Sequence, residues 1–107
     1  MTIEIKDFEK LNLKVGEVLR VDDVPGADKL YRLEVDIGKT QITLVAGIKK
    51  NYEKEDIVGK KIIVLTNLRP ANIRGITSEG MLLAAVKNDN INLVTVDGDA
   101  EIGSDVA

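Results

Sequence analysis

The stretch from Tyr31 to Gly47 constrains the fold more than any other part of the chain. Tyr31, Leu33, Val35 and Ile37 alternate with Arg32, Glu34 and Asp36, the period-two signature of a strand with one buried and one wet face. Gly38-Lys39 then fits a two-residue hairpin, because glycine can take the positive φ such a turn requires at its first position. Thr40 to Gly47 returns as the next strand, with Ile42, Leu44 and Ala46 on one face. The rest of the sequence offers mostly more strands to cover that face.

Leu13 to Val24 reads as a long strand whose alternation slips at Gly16-Glu17, which predicts a bulge or bend there. Pro25-Gly26-Ala27-Asp28 reads as a loop. Ile62-Ile63-Val64-Leu65 is a β-branched, buried strand. Met81 to Val86 is another, followed across Asn88-Asp89-Asn90 by Ile91 to Val96 and by a last short strand between Glu101 and Val106. Helical signals are few. Asp7 to Leu11 reads as one turn capped by Asp7, and Asn51 to Val58 as a short helix capped by Asn51 and closed by Gly59. The class is all-β: five strands with one short helix between the third and fourth match the oligonucleotide-binding (OB) barrel. An SH3-like barrel or a small β-sandwich is the alternative. The strands after Val86 exceed a minimal barrel and need something to cover, a partner subunit being one candidate.

With 107 residues and no internal repeat or linker, the chain reads as one domain over residues 1–107. It has no Cys and no His. That excludes Cys/His zinc sites, thiol chemistry and imidazole acid–base work. The spacings of a calcium EF-hand and of a glycine-rich phosphate loop are absent. No catalytic constellation emerges, so binding is favoured over catalysis, with no metal and no cofactor expected. No apolar run approaches the roughly 20 residues of a membrane span, and Met1 to Lys10 lacks the apolar core of a signal peptide. The expected location is the cytoplasm, away from membranes.

The formal charge of −3 argues against a generic nucleic-acid binder, but its distribution does not. Residues 47–75 carry seven basic side chains (Lys49, Lys50, Lys54, Lys60, Lys61, Arg69, Arg74) against Glu53, Glu55 and Asp56, a net of +4. Residues 1–46 sum to −2 and residues 76–107 to −5. A basic middle between acidic ends attracts a phosphate backbone locally; equally, mixed surface charge keeps a domain soluble.

The segment Asn67-Leu68-Arg69-Pro70-Ala71-Asn72-Ile73-Arg74-Gly75-Ile76-Thr77-Ser78-Glu79-Gly80-Met81 is the most informative. Arg69 and Arg74 offer forked donors suited to phosphate. Asn67, Asn72, Thr77 and Ser78 add neutral donors and acceptors, and Pro70 stiffens the connection. The plainer reading is a solvated connection in which Ser78 and Glu79 bond their own backbone. Lys49-Lys50 and Lys60-Lys61 flank the helix and are either a positive rim or ordinary surface lysines. The only aromatic residues are Phe8, Tyr31 and Tyr52, too few for stacking platforms worth about 1–3 kcal/mol per base. Recognition of a folded RNA's shape and backbone fits this composition better than readout of extruded bases.

Several blocks, in order, resemble one family: Leu13-Lys14-Val15-Gly16-Glu17-Val18, Pro25 to Tyr31, Val35-Asp36-Ile37-Gly38, Val45-Ala46-Gly47-Ile48, Val58-Gly59-Lys60-Lys61, Asn67 to Gly75 and Ser78 to Ala85. The chain is similar from residue 5 to 107 to the OB-fold tRNA-binding domain found at the C-terminus of many methionyl-tRNA synthetases, and also as stand-alone proteins. The resemblance implies a non-catalytic, homodimeric module that binds tRNA by shape and joins, covalently or not, a methionyl-tRNA synthetase catalytic region. It implies that the N-terminal turn and the C-terminal strands build the dimer. By position, the tRNA-facing residues would be Asn67, Arg69, Arg74, Ser78, Glu79 and Met81, with Lys60 and Lys61 on phosphates. Arg69 stands where members often carry Lys and keeps the charge; Asn72 replaces a frequent Lys and removes one. The alternative is a stand-alone dimer of weak RNA affinity, or a relative of the export-linked chaperones, a branch that lacks a good match to Ala27-Asp28-Lys29-Leu30.

Overall fold

A computed structural model describes all residues, 1–107. Its centre is the long strand β1 (Leu13–Asp23), flanked by β2 (Tyr31–Asp36) and β4 (Lys61–Leu65). With β3 (Gln41–Ala46) and β7 (Met81–Leu82) these form one antiparallel sheet in the order β3-β2-β1-β4-β7. The sheet curls until β3 meets the 78–80 segment. There Glu79 N–H donates to the Thr43 carbonyl at 2.8 Å and Val45 N–H to Ser78 Oγ at 3.1 Å. The result is a nearly closed five-stranded barrel with a short helix, α2 (Lys54–Ile57), between β3 and β4, as the OB pattern requires.

The expected hairpin is present: Ile37 N–H donates to the Thr40 carbonyl at 3.0 Å around Gly38-Lys39, with Gly38 at φ +106°. The bend in β1 lies slightly later than expected. The register with β2 shifts between Val18 and Arg20, not at Gly16-Glu17. Leu13 to Glu17 pairs with β4 and Glu17 to Asp23 with β2, so one strand serves both halves of the barrel.

Both faces of β1 and β4 are buried. Val18, Leu33, Leu44, Ile62 and Val64 fill the interior. Leu13, Val15, Ile63 and Leu65 form a second cluster outside it, roofed by Phe8, Leu83, Val96, Ala100, Ile102 and Val106. The C-terminal extension therefore covers the barrel's own outer wall, and the covering that the sequence left open is met within the chain. The hairpin of β8 (Ala84–Lys87) and β9 (Asn90–Leu93) sends Ile91 and Leu93 back against the interior cluster.

Both helices start elsewhere than expected. The first, α1 (Ile5–Phe8), has Glu4 as N-cap, and the Asp7 carboxylate reaches back to accept the Glu4 N–H at 3.1 Å. Asp7 is thus the third helical residue, the reciprocal half of a cap. The helix α2 begins at Lys54 after Glu53, while the Asn51 side chain donates instead to the Asp89 carbonyl at 3.0 Å. With four residues α2 is too short to persist alone. Ile57, fully buried, anchors it, a burial worth roughly 1.5–3 kcal/mol. Met81 to Val86 is broken at Leu83 into β7 and β8, and β9 stops at Leu93. Between Glu101 and Val106 a single bridge, Lys14 to Asp105, replaces the expected last strand, because Ile102 and Gly103 turn the backbone there.

Candidate nucleic-acid interface

The 67–81 segment, expected to be an irregular connection, is a β-hairpin. Strands β5 (Ala71–Ile73) and β6 (Ile76–Ser78) pair across Arg74-Gly75. Arg74 and Gly75 have φ of +54° and +82°, a turn with both central residues left-handed, as in type I′. Asn72 Oδ1 accepts the Gly75 N–H at 3.0 Å and braces the tip. Arginine is unusual at that backbone conformation, and it is exposed on the hairpin's end.

The hairpin tip lies beside the loop joining β1 to β2. A side chain added at Gly26 would meet an Arg74 guanidinium nitrogen at 3.8 Å, and Arg74 borders a cleft with Gly26, Asp28 and Lys29. A second cleft runs between the hairpin and the outer face of β2 and β3, lined by Arg32, Thr43, Gly75, Ile76, Thr77 and Glu79. On that face Glu34 accepts from Thr43 Oγ1 at 2.8 Å and from Arg32 Nε at 3.3 Å. Arg20 pairs with Asp22 at 2.8 Å. Most charge there is compensated, and Arg74 stands free of any ion pair.

The eight residues expected to face RNA divide into three groups. Arg69, Arg74 and Met81 are exposed and unbonded through their side chains. Asn67, Ser78 and Glu79 are engaged within the chain. Asn67 accepts from Asn12 N–H at 2.9 Å and donates to the Lys10 carbonyl at 2.8 Å. Ser78 is buried, accepting from Val45 and donating to the Gly80 carbonyl at 3.3 Å. Glu79 accepts the Thr43 N–H at 2.7 Å. Lys60 and Lys61 sit at the opposite end of β4 from Asn67. The Lys61 ammonium donates to the Ala100 carbonyl at 2.6 Å, on the side roofed by the C-terminal extension. Of the other lysines near the helix, Lys49 and Lys54 share Asp23, each at 3.1 Å. Those two ammonium groups, Lys54 first, hold the Asp23 carboxyl below its usual range.

None of the three aromatic residues is a free platform. Phe8 packs on the outer cluster. Tyr31 is buried, donates to the Tyr52 carbonyl at 2.8 Å, and is pushed up in pKa by that burial and by Glu53. The Tyr52 hydroxyl accepts the Leu93 N–H at 3.0 Å. The two tyrosines latch the β8–β9 hairpin to the barrel. Lys29 and Arg32 are the neighbours sequence reasoning did not place at the site; nothing in sequence joins them to Arg74, more than forty positions on.

A five-stranded barrel with its β1–β2 loop and the hairpin before the last barrel strand flanking the β2–β3 face has the architecture of an OB-type nucleic-acid-binding module. Comparison with known proteins makes the class specific. Residues 13–105 match the family model described as "Putative tRNA binding domain", and the chain belongs to that family. It is 49% identical over 105 residues to a methionine–tRNA ligase of Methanocaldococcus jannaschii, covering 97% of this chain but 16% of that protein. Among solved structures it is similar to a "MetRS related protein" of Pyrococcus horikoshii (32% identity, TM-score 0.95, covering 100% of this chain and 99% of that one). It is also similar to a CsaA chaperone protein of Picrophilus torridus (34%, TM-score 0.91, covering 99% and 100%).

Proposed function

We propose that this chain is a non-catalytic module that binds tRNA by shape and pairs with a second copy of itself, serving a methionyl-tRNA synthetase as its C-terminal domain or as a separate subunit. The observation that carries the RNA reading is Arg74. It is an unpaired guanidinium held in a left-handed turn, beside the β1–β2 loop, in a hairpin whose next residue, Gly75, borders the cleft over the β2–β3 face, where OB barrels take nucleic acid. Arg69 and Arg74 grip phosphates, Met81 covers a sugar or base edge, and Lys60 adds a peripheral contact. Asn67, Ser78 and Glu79 act by holding the segment in place. The engaged aromatics support recognition of backbone and shape over base stacking.

Titration of the chain with total tRNA, at several salt concentrations and with duplex DNA as competitor, tests this. Binding should weaken as salt rises, by a log–log slope of roughly −0.7 to −0.9 per phosphate contact, and tRNA should win over DNA. The double variant Arg69→Ala, Arg74→Ala should fold normally and bind tRNA at least tenfold more weakly. Parental affinity in that variant overturns the assignment.

For self-association, the support is an apolar groove lined by Ile5, Phe8, Leu11, Leu13, Val106 and Ala107, with Met1 and Ile3 exposed alongside. A dimer by light scattering that Leu11→Asp dissociates is the expected result; a monomeric parent chain rejects it. A second reading, a stand-alone chaperone-like dimer with weak RNA affinity, is favoured by the full-length likeness to the CsaA protein. Absence of tRNA binding at any salt would select it.

A further inference from the structure

Two independent features meet on one side of the barrel. The only non-glycine residues with positive φ are Arg74 (+54°) and Asn88 (+55°). They stand in two tight turns, one joining β5 to β6 and the other β8 to β9. Each borders a cleft, and the two clefts share Lys29. Arg74 faces Gly26, Asp28 and Lys29 across the first; Lys29, Lys50, Asn51, Asn88 and Asp89 line the second. The loops between them are tied together. Lys49 N–H donates to the Lys29 carbonyl at 3.2 Å, and Asn51 Nδ2 to the Asp89 carbonyl at 3.0 Å. Lys29, Lys50 and Arg74 have no carboxylate partner, although Lys49 next door is paired with Asp23. Asp28 and Asp89 also border these clefts, so the cations exceed the carboxylates by one.

We propose that the RNA path continues from Arg74 across Lys29 into the cleft between Lys50 and Asn88, which holds a second stretch of phosphodiester backbone. Lys29 and Lys50 serve as point charges for successive phosphates, and the Asn88 amide adds a neutral donor for a phosphate or ribose oxygen. Three unpaired cations on three neighbouring loops, with amides beside two of them, suit an extended polyanion. A protein partner would need a buried apolar or aromatic anchor, and this cleft offers only the half-buried Ile91. The inference rests on the tRNA-binding reading and lengthens its surface.

The test is a tRNA titration of the whole chain over a range of salt, for the parent and for Lys50→Gln, Lys29→Gln, Arg74→Ala and Lys39→Gln. Lys39 is at the far end of β2, in the other hairpin, and serves as the control. Lys50→Gln and Lys29→Gln should each weaken binding several-fold at low salt and make the log–log slope shallower by about 0.7–0.9, with unchanged melting. Lys39→Gln should leave both alone. Parental slopes for Lys29→Gln and Lys50→Gln, with a loss in Arg74→Ala, would end the path at the hairpin and leave the tRNA reading standing. An equal loss in Lys39→Gln would reduce the effect to bulk charge and also overturn it. No binding by the parent would reject the tRNA reading itself, and this extension with it.

Discussion

At the scale of single residues, Arg74 sets stability against function. A non-glycine residue in the left-handed region costs roughly 1–2 kcal/mol, and asparagine is the side chain best suited to the first position of this turn. Arg74→Asn should therefore raise the thermal midpoint while weakening tRNA binding. A lower midpoint would contradict the turn assignment, and undiminished binding would contradict the role of the guanidinium. Asp23 makes a different prediction. Its carboxyl titrates below the ordinary range because Lys54 and then Lys49 stabilise the charged form. A depressed folded-state value means the stabilisation is present above the unfolded-state pKa and fades as pH falls through the folded-state one. Lys54, raised by the same contact, loses its share only as pH climbs past its own elevated value. Urea midpoints of the parent and Asp23→Asn should differ at neutral pH and converge in acid. A difference independent of pH would show that the carboxylate's charge is not what matters.

At the scale of elements, the barrel closes through a side chain. Between β3 and the 78–80 segment the one backbone bond, Glu79 N–H to the Thr43 carbonyl, is supplemented by Ser78 Oγ, which satisfies Val45 N–H and the Gly80 carbonyl. Ser78→Ala leaves a backbone N–H without its partner and should cost about 1–3 kcal/mol, whereas Thr77→Ala, exposed beside it, should shift stability by less than about 0.5 kcal/mol. Equal urea midpoints for the two variants would remove Ser78 from the closure. Gly80 is constrained by space: a Cβ there would stand 2.6 Å from the Leu65 carbonyl, so any side chain forces β7 away from β4. These contacts explain why part of the candidate site was legible and part was not. The Asn67–Met81 stretch stood out by its residue types, and its two arginines are exposed and free of ion pairs. The hairpin within it is not legible in the sequence because three-residue strands with a single buried side chain between them leave no period-two pattern. The roles of Asn67, Ser78 and Glu79 depend on partners 30 to 60 positions away.

At the scale of the whole molecule, the residues after Leu93 are a lid on the barrel's outer wall. Val96, Ala100, Ile102 and Val106 cover Leu13, Val15, Ile63 and Leu65. Lys61 and Thr95 fasten the lid, through Ala100 and the Lys61 carbonyl respectively. A chain ending at Leu93 keeps its interior core yet exposes that second cluster; it should unfold at markedly lower urea and bind a hydrophobic dye. An unchanged midpoint would show that the lid adds nothing to stability. Sequence alone determined the four long strands β1 to β4, the hairpin at Gly38-Lys39, the approximate place of the short helix and hence the barrel, because alternation and turn residues are local properties read over a few positions. It also determined, through the scarcity of aromatics, that few side chains could stack on bases. The tertiary structure decided which cations are free and which are spent on Asp23, that Lys29 borders both the cleft of Arg74 and that of Lys50, and that the extension covers its own barrel. Those are relations between distant segments, and they exist only once the sheet has curled and closed.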